Sequence, residues 1–397
     1  MKIGILTYHA VCNFGANLQA YCTMRYFQSL GHEAKVINFV APEYMQQDKV
    51  PSEQAFAHWK FSQETLNTTE LLNEGGHALY ELVKSEGFHL IVVGSDAVWN
   101  YANIDEFRVF HADWLWESDL KDTVKVVALS PAFMGQSYSG LPSYEKLRFA
   151  TSLRNFSFLT TRDSWTRDVI NKEVLEENLI DIINPDPAFL LDDICQDEWI
   201  IPEYIEKKKY YIMSLSPNFC KVHPELNRTW FKKFKKEINK RGYQLVELPL
   251  PEGLSGFDFD YTVPYPIDPL QWFLWLKNAK AFVGLRFHAV VSCISAGTPF
   301  YSLDIYGKSS SKVISYLNKV GFHYLDHRFN KSSKIRNILD GSGLERYRIN
   351  GDAIFMTCPS SLVRKLENYN LDALASYRAD RISTFKKNVA KMLDSVV

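Results

Sequence analysis

The chain lacks the features that mark membrane-spanning, disulfide-rich and nucleic-acid-binding proteins. No window approaches the ~18 to 20 consecutive apolar residues of a transmembrane helix. Its 6 cysteines are scattered without a C-x-x-C pair, which is typical of reduced thiols and not of a disulfide framework or a zinc site. The formal net charge is only -1, so no overall field attracts the chain to nucleic acid or to an anionic membrane. We therefore predict no bound metal and no nucleic-acid partner.

The amino terminus also lacks a targeting signal. The opening MKIGILTYHAV has one Lys and a short β-branched run, without the longer apolar stretch and cleavage site of a signal peptide. This pattern predicts a cytoplasmic protein. What the chain does have is 46% apolar and 23% charged residues, as globular proteins do, and 397 residues, which exceeds the size of one ordinary hydrophobic core. Two domains are therefore expected.

Short apolar runs alternate with helical periodicity in both halves of the chain, which indicates βαβ units on parallel sheets. We predict an α/β fold of two Rossmann-like, doubly wound domains facing a cleft, followed by a C-terminal helical segment. The first domain covers residues 1–190 and the second covers 210–361. A segment rich in Pro and charge, 191–209, is the predicted linker, and helices in 362–397 are expected to pack back across the linker or onto the first domain.

Polar residues follow two predicted strands of the first domain. The stretch LIVVGSDAVWN predicts an apolar strand that ends at a glycine. The residues that follow include Ser95, Asp96, Trp99 and Asn100, a combination that is typical of the wall of a sugar site. The alternative is a helix cap with the tryptophan in the core. The loop after the first strand carries Asn13 and Asn17 toward the same sheet edge, and it lacks G-x-G-x-x-G, which argues against a dinucleotide cofactor.

The sharpest local pattern is FVGLRFHAVVSCISAGTP in the second domain, which predicts a buried strand, a tight turn and a helix. Arg286 and His288 fall at the start of that helix, where free N–H groups and the helix dipole favour an anion. The planar fork of an arginine suits a phosphate or a carboxylate, and a histidine beside a bound anion can donate a proton. Alternatively, His288 caps the helix and Arg286 pairs with a local carboxylate.

A second candidate for anion binding is Lys308, in Tyr-Gly-Lys-Ser-Ser-Ser-Lys after the next strand, with Lys312 as its competitor. Two weaker patterns are more simply explained by structure. Asp258-Phe-Asp260 matches the D-x-D of metal-dependent glycosyltransferases, but so short a match arises by chance. The lysine-rich helix WFKKFKKEI has the pattern of a solvated surface helix, although it could also contact anionic lipid.

Taken in order, several of these segments resemble the polysaccharide pyruvyl transferase family. The resemblance rests on NFGANLQAY, VVGSDAVWN, LTTRD, NPDPAFLL and VGLRFHAVVSCISAGTP, and it runs from the first residue to about residue 320. One departure is ALSPAFMG, where the family often has Y-A-A-S-F-G. That change puts the identity of the acceptor in doubt more than the chemistry.

The resemblance implies a fold similar to GT-B glycosyltransferases and an activity that moves pyruvate from phosphoenolpyruvate onto two hydroxyls of a sugar. It implies that Arg162 and Arg286 hold the donor, that Lys308 assists them, and that His288 is the general acid. We add Asp96 as a candidate base and expect no cofactor. The acceptor is a sugar in a capsular or other surface polysaccharide or in its lipid-linked precursor, which would bring the protein to the inner face of the membrane.

Two rival functions fit the same residues. A GT-B-like glycosyltransferase using a nucleotide sugar would share the architecture and would direct Arg286 and Lys308 to a diphosphate. A sugar-binding protein without activity is the second rival, and the presence of Arg162, Arg286 and His288 argues against it.

Overall fold

A computed structural model describes residues 1–41, 50–116, 118–133, 137–217, 224–304 and 333–396. The chain divides into two compact units. Unit 1 comprises Met1–Asp48, Ala55–Ile194 and Asp380–Val397, and unit 2 comprises Lys49–Gln54 and Cys195–Ala379. No helix in the described part of the chain is long and apolar enough to cross a membrane.

Unit 1 is built on a six-stranded parallel sheet with the strand order β2-β1-β3-β4-β5-β6. The strands are β1 (Lys2–Leu6), β2 (Glu33–Val36), β3 (Leu90–Val93), β4 (Lys125–Ala128), β5 (Phe158–Thr161) and β6 (Ile182–Ile183). The helices between and after them are α1 (Phe14–Ser29), α2 (Ser52–Glu64), α3 (His77–Glu86), α4 (Ile104–Phe110), α5 (Asp113–Trp116), α6 (Ser143–Asn155), α7 (Ser164–Ile170) and α8 (Leu191–Ile194). Helix α2 begins in unit 2 and continues in unit 1.

The middle strands of this sheet are apolar because helices cover both faces. All four residues of β3 are buried, and β3 pairs in register with β1 on one side and β4 on the other. A continuous apolar run is the pattern expected for a strand covered on both faces of a parallel sheet. Aromatic rings fill the core beside it. Phe149, for example, lies 4.8 Å from Phe107 between ring centroids.

Unit 2 repeats the architecture with the strand order β12-β11-β10-β7-β8-β9. Its strands are β7 (Tyr210–Ser214), β8 (Gln244–Glu247), β9 (Tyr261–Thr262), β10 (Ala281–Gly284), β11 (Phe300–Asp304) and β12 (Arg348–Asn350). Its helices are α9 (Pro224–Asn239), α10 (Pro269–Asn278), α11 (Phe287–Ala296), α12 (Lys334–Leu339) and α13 (Pro359–Glu367). The two parallel sheets confirm the predicted α/β class with two doubly wound units.

The last helix, α14 (Leu371–Val396), begins in unit 2 and ends in unit 1. In unit 1 its side chains Phe385, Val389 and Met392 are fully buried. The ring of Phe385 meets that of Tyr26 edge-on at 5.3 Å between centroids, and Asn388 donates a hydrogen bond to Asn184 at 3.1 Å. The end of the chain is therefore an integral part of the core of unit 1.

Strand order also locates where ligands bind. The order in unit 1 is that of flavodoxin-like sheets with a sixth strand added, and the order in unit 2 is that of the Rossmann sheet. In such open sheets the connections reverse direction between two central strands, and ligands bind beyond the carboxyl ends of those strands. The reversal lies between β1 and β3 in unit 1 and between β7 and β10 in unit 2.

Candidate functional site

The turn after β3 is shaped by a glycine that no other residue can replace. Gly94 has a φ of 108°, and a Cβ there would lie 2.5 Å from the carbonyl oxygen of Leu129. Two residues later, Asp96 has a φ of 68°, which is unusual for a residue other than glycine. Its carbonyl accepts a hydrogen bond from the N–H of Ala132 at 2.7 Å, which ties the turn to the loop after β4. Strained backbone of this kind concentrates at functional sites.

Arg162, which follows β5, is buried among carboxylates. Its side chain is 1% exposed, and Nη1 lies 2.9 Å from Oδ2 of Asp186 and 3.8 Å from Oδ1 of Asp96. Burial alone would lower the pKa of Arg162, but the carboxylates of Asp186 and Asp96 raise it above its ordinary value. A guanidinium held in this way orients the two carboxylates. The geometry thus favours a positioning role for Arg162 over the direct donor contact that the sequence predicts.

Ser95 and Asn17 are bound to other protein groups at the same edge. Ser95 accepts a hydrogen bond on its carbonyl from Thr7 at 3.0 Å, and its N–H donates to Gln19 at 3.2 Å. Asn17 is fully buried, donates to the carbonyl of His9 at 2.5 Å and lies 2.6 Å from Nδ1 of His58. Burial lowers the pKa of His58 to about 3, so this imidazole is neutral. Ser95 and Asn17, both predicted to bind the acceptor, are therefore engaged in hydrogen bonds within the protein at the carboxyl edge of the sheet.

The remaining predicted acceptor residues differ in exposure. Trp99 is fully buried and meets Phe149 edge-on at 5.6 Å, so its ring belongs to the core and offers no face to a sugar. That part of the prediction is corrected, because the turn after β3 points the ring inward. Asn13 is exposed and caps α1 by accepting a hydrogen bond from the N–H of Gly15 at 2.9 Å. Asn100 is half-buried, and its Oδ1 accepts from the N–H of Ala102 at 3.3 Å.

In unit 2 the turn after β10 presents an arginine. A Cβ on Gly284 would lie 2.5 Å from the carbonyl oxygen of Ser214, so β10 and β7 approach closely at their carboxyl ends. Arg286 then adopts a φ of 88° as the residue that precedes α11, a conformation that costs a non-glycine residue free energy. Its side chain is 50% exposed and forms an ion pair with Glu252. The predicted alternative, a pairing with a local carboxylate, is therefore present, yet half of the side chain remains open to solvent.

His288 lies in the first turn of α11, two residues beyond Arg286. It is 9% exposed, and its ring meets that of Phe287 edge-on at 4.9 Å. The strand, the turn and the helix thus place a guanidinium and an imidazole within one short segment at the reversal point of this sheet. Lys308 and its competitor Lys312 lie outside the described residues.

The weaker sequence patterns have structural explanations. Asp258 and Asp260 both pair with Lys235 of α9, at 3.3 and 3.2 Å, and so hold a loop against that helix. Lys232, Lys233 and Lys236 on the same helix are exposed. The five described cysteines are free thiols, and no cluster of three or more His, Cys, Asp or Glu that could hold a metal occurs among the described residues.

The sequence patterns did not single out Asp186, the nearer carboxylate partner of Arg162, or Glu252, the partner of Arg286. Asp186 lies within the quoted NPDPAFLL stretch, three residues after the end of β6, so its position near a strand end was a usable signal. Glu252 follows β8 in a Pro-Glu-Gly turn, where a carboxylate at a strand end was again visible. A third pair, Arg348 with Asp304 at 2.8 Å, is buried at the ends of β11 and β12. Its two halves are too far apart in the sequence to be matched without the fold.

Comparisons with solved structures agree with the fold. The chain is similar to the glycosyltransferase SnogD from Streptomyces nogalater, with a TM-score of 0.54, 12% identity and 100% of both chains covered. It is also similar to the UDP-GlcNAc 2-epimerase from Neisseria meningitidis bound to UDP-GlcNAc, with a TM-score of 0.54, 8% identity, and 100% of this chain and 99% of that one covered. At such identities the likeness confirms the GT-B-like fold alone.

Comparisons of sequence give one informative result. No curated protein matches the chain significantly. The family model described as polysaccharide pyruvyl transferase, however, matches residues 13–305, a span that includes the turns after β3 and β10. Because this match extends over well more than half of the sequence, the chain belongs to the polysaccharide pyruvyl transferase family.

Proposed function

We propose that the chain transfers pyruvate from phosphoenolpyruvate onto two hydroxyls of a sugar, forming a cyclic ketal and releasing phosphate. The observation that carries this proposal is the segment after β10, where the half-exposed Arg286 and the imidazole of His288 stand at one helix start. Family membership supports the reaction class, because it identifies the chain as a transferase acting in polysaccharide synthesis.

Donor binding is assigned to Arg286. Its guanidinium matches the planar geometry of a phosphate or a carboxylate, and phosphoenolpyruvate carries one of each. On binding, an oxygen of the donor would replace the carboxylate of Glu252 as the partner of Arg286. One charge-assisted contact would thus replace another. Lys308 is proposed as a further donor contact, with Lys312 as the alternative. Arg162 acts indirectly in this scheme, by fixing Asp96 and Asp186.

His288 is the proposed general acid. It gives its proton to the methylene carbon of phosphoenolpyruvate, and the carbon that bears the phosphate becomes an oxocarbenium-like centre. One sugar hydroxyl attacks that centre and loses its proton, for which Asp96 is the proposed base. The bond to phosphate then breaks, and the second hydroxyl closes the ketal ring. Of the two protons lost from the hydroxyls, one balances the proton gained by the methylene carbon, and the other leaves with the inorganic phosphate. This scheme requires neither a metal nor a cofactor.

The acceptor is proposed to be a sugar of a capsular or other surface polysaccharide, carried on a lipid. Such an acceptor would bring a cytoplasmic enzyme to the inner membrane surface. Lys232, Lys233 and Lys236 offer an exposed basic face for anionic headgroups, and each lysine contributes about 1 kcal/mol of attraction. Sedimentation with phosphatidylglycerol vesicles tests this contact, since replacing all three by Gln should abolish it and leave binding to neutral vesicles unchanged.

Protection against heat distinguishes the proposed reaction from its rivals. A ligand present at about 100 times its Kd adds about 2.7 kcal/mol to the stability of the folded protein. Phosphoenolpyruvate should therefore raise the melting temperature, and UDP should not. Protection by UDP alone would indicate a nucleotide-sugar enzyme, and protection by neither would indicate a protein without this activity. Incubation with phosphoenolpyruvate and lipid-linked glycans, followed by mass spectrometry and phosphate release, then tests the transfer itself.

A further inference from the structure

Unit 1 contains a cavity of about 860 Å³ away from the residues assigned above. This volume lies within the range of about 300 to 1,000 Å³ found for small-molecule sites. Its walls come from the segment after β2, the amino end of α3, and helices α4, α5 and α6. None of the residues predicted from the sequence to bind donor or acceptor lines it.

Two tryptophans of α5 line this cavity, and both are fixed in place. Trp114 donates its indole N–H to the carbonyl of Val109 at 3.1 Å, and Trp116 donates to the hydroxyl of Ser152 at 3.0 Å. Both side chains are half-buried and pack against the core of unit 1. Flat rings held rigidly beside polar groups lose little conformational entropy when a ligand stacks on them. The apolar faces of sugar rings are ligands of this kind.

The charges of the cavity exclude an anionic ligand. The described residues that line the cavity include four with carboxylates and two with guanidinium groups. The guanidinium groups are already engaged, because Arg148 pairs with Asp113 and Arg108 pairs with Glu145. A phosphate or a second carboxylate would meet uncompensated negative charge there. Neutral hydroxyls, by contrast, can donate to these carboxylates and accept from the arginines.

One residue of the cavity wall contacts the segment that follows β1. Glu106 in its wall accepts a hydrogen bond from the hydroxyl of Tyr8, which follows β1, at 3.2 Å. Asn103 caps α4 by accepting from the N–H of Asp105 at 3.0 Å and donates to Glu106 at 3.0 Å. The wall is therefore held against the segment that follows β1.

We propose that this cavity binds an uncharged oligosaccharide, with Trp114 and Trp116 as stacking surfaces and the carboxylates as hydrogen-bond acceptors. Building on the proposed pyruvyl transfer, this oligosaccharide is the part of the acceptor glycan that does not react. The cavity then selects the glycan, and the residues at the strand ends perform the chemistry on its terminal sugar.

Filling the cavity tests the inference. Thr151 is an exposed residue of α6 that lines the cavity, so Thr151→Trp places a ring in it without disturbing the core. Asn155→Trp, one turn further along the same exposed face and outside the cavity, is the matched control. Asp105→Ala is a milder variant, because that side chain is 93% exposed and its loss leaves folding intact.

The probes are neutral gluco-, manno- and galacto-configured trisaccharides, with UDP and phosphoenolpyruvate as charged probes, and binding is followed by calorimetry. We expect at least one trisaccharide to bind the wild type and Asn155→Trp with equal affinity. The same trisaccharide should bind Thr151→Trp at least tenfold more weakly, and Asp105→Ala several-fold more weakly, than it binds the wild type. If Thr151→Trp does not fold, as judged by circular dichroism, Asp105→Ala decides alone.

The outcomes separate this inference from the proposed function. The absence of trisaccharide binding to the wild type, equal binding to Thr151→Trp, or a loss of UDP or phosphoenolpyruvate binding in that variant would each overturn the cavity assignment. Protection by phosphoenolpyruvate is measured independently on the same proteins. If it is absent while Thr151→Trp still blocks the trisaccharide, the glycan cavity stands and pyruvyl transfer is the part that fails.

Discussion

Arg162 and Arg286 each follow a strand of a parallel sheet, Arg162 in unit 1 and Arg286 in unit 2, but their environments are opposite. The side chain of Arg162 is 1% exposed and is held by two carboxylates of its own unit, whereas that of Arg286 is 50% exposed and pairs, among the described residues, with Glu252. The same contrast extends to the reversal points of the two sheets. In unit 1, Gln19 fills the reversal point by bonding to both Thr7 and Ser95, while in unit 2 a strained backbone presents Arg286 to solvent.

The difference shows that an arginine at a strand end is insufficient to identify an anion site. Arg162 is buried beside Asp186 and Asp96, whose carboxylates already neutralise its charge. Arg286 is half exposed, and the side chain of its partner Glu252 is 22% exposed, so solvent reaches this pair and a ligand can replace the carboxylate. The comparison makes quantitative predictions for variants of both residues.

The largest effect is expected on stability, from Arg162→Ala. Removing one member of a buried ion pair leaves uncompensated charge and typically costs ~3 to 5 kcal/mol. The free energy of unfolding should fall by that amount, measured from the first transition in urea followed by circular dichroism. The matched control is Arg286→Ala, whose half-exposed pair is worth at most ~1 kcal/mol. Equal stability of the two variants would refute the contrast between the arginines.

The next effect concerns turnover, in His288→Ala. Removing a general acid typically lowers the rate ~100-fold or more, whereas donor binding should persist because Arg286 remains. Phosphate release measures turnover, and protection by phosphoenolpyruvate measures binding. His77→Ala, at a side chain 83% exposed in unit 1, is the matched histidine control and should behave as the wild type. Near-normal turnover of His288→Ala would eliminate the proposed acid.

A smaller effect is expected on donor affinity, from Arg286→Ala. Loss of a charge-assisted contact costs ~1.5 to 3 kcal/mol, which is roughly a ten- to hundredfold rise in the Kd for phosphoenolpyruvate by calorimetry. Arg286→Lys should retain part of the affinity, because a lysine keeps the charge but loses the planar fork. Arg154→Ala removes a comparably exposed arginine, paired with Glu177 in unit 1, and should leave the Kd unchanged. An unchanged Kd in Arg286→Ala would place the donor elsewhere.

Strand positions were predictable because they depend on local pattern. The strand and the helix predicted in FVGLRFHAVVSCISAGTP coincide with β10 and α11, since the buried run ends at Gly284 and the helix ends before Gly297. The short edge strand β9 and the helix α2 were missed. Two residues carry too little periodicity to be recognised, and α2 has charged and polar residues on several faces.

The positions of the candidate site residues along the fold could be predicted from the sequence, but the solvent exposure of their side chains could not. The sequence placed Asp96 directly after a strand and Arg286 and His288 at the start of a helix that follows a strand, and the structure does so too. Whether a side chain points inward depends on backbone geometry set by distant carbonyls, such as that of Leu129 against Gly94. For this reason Trp99 was assigned to a sugar site although it is core, while Trp114 and Trp116, in a segment without a strand-end signal, were overlooked.

The smallest effect tests whether the partner of Arg286 competes with the donor, and it has the opposite sign. The Arg286–Glu252 pair must break before phosphoenolpyruvate can take its place, and a pair of this exposure is worth ~0 to 1 kcal/mol. Glu252→Gln removes that competition while preserving the shape of the side chain. The Kd for phosphoenolpyruvate should therefore fall, by up to about fivefold, because 1 kcal/mol corresponds to about that factor. The Arg154 pair provides the control, since Glu177→Gln should change nothing. If Glu252→Gln instead weakens donor binding, Glu252 serves to orient Arg286, and the guanidinium contacts both the carboxylate and the donor at once.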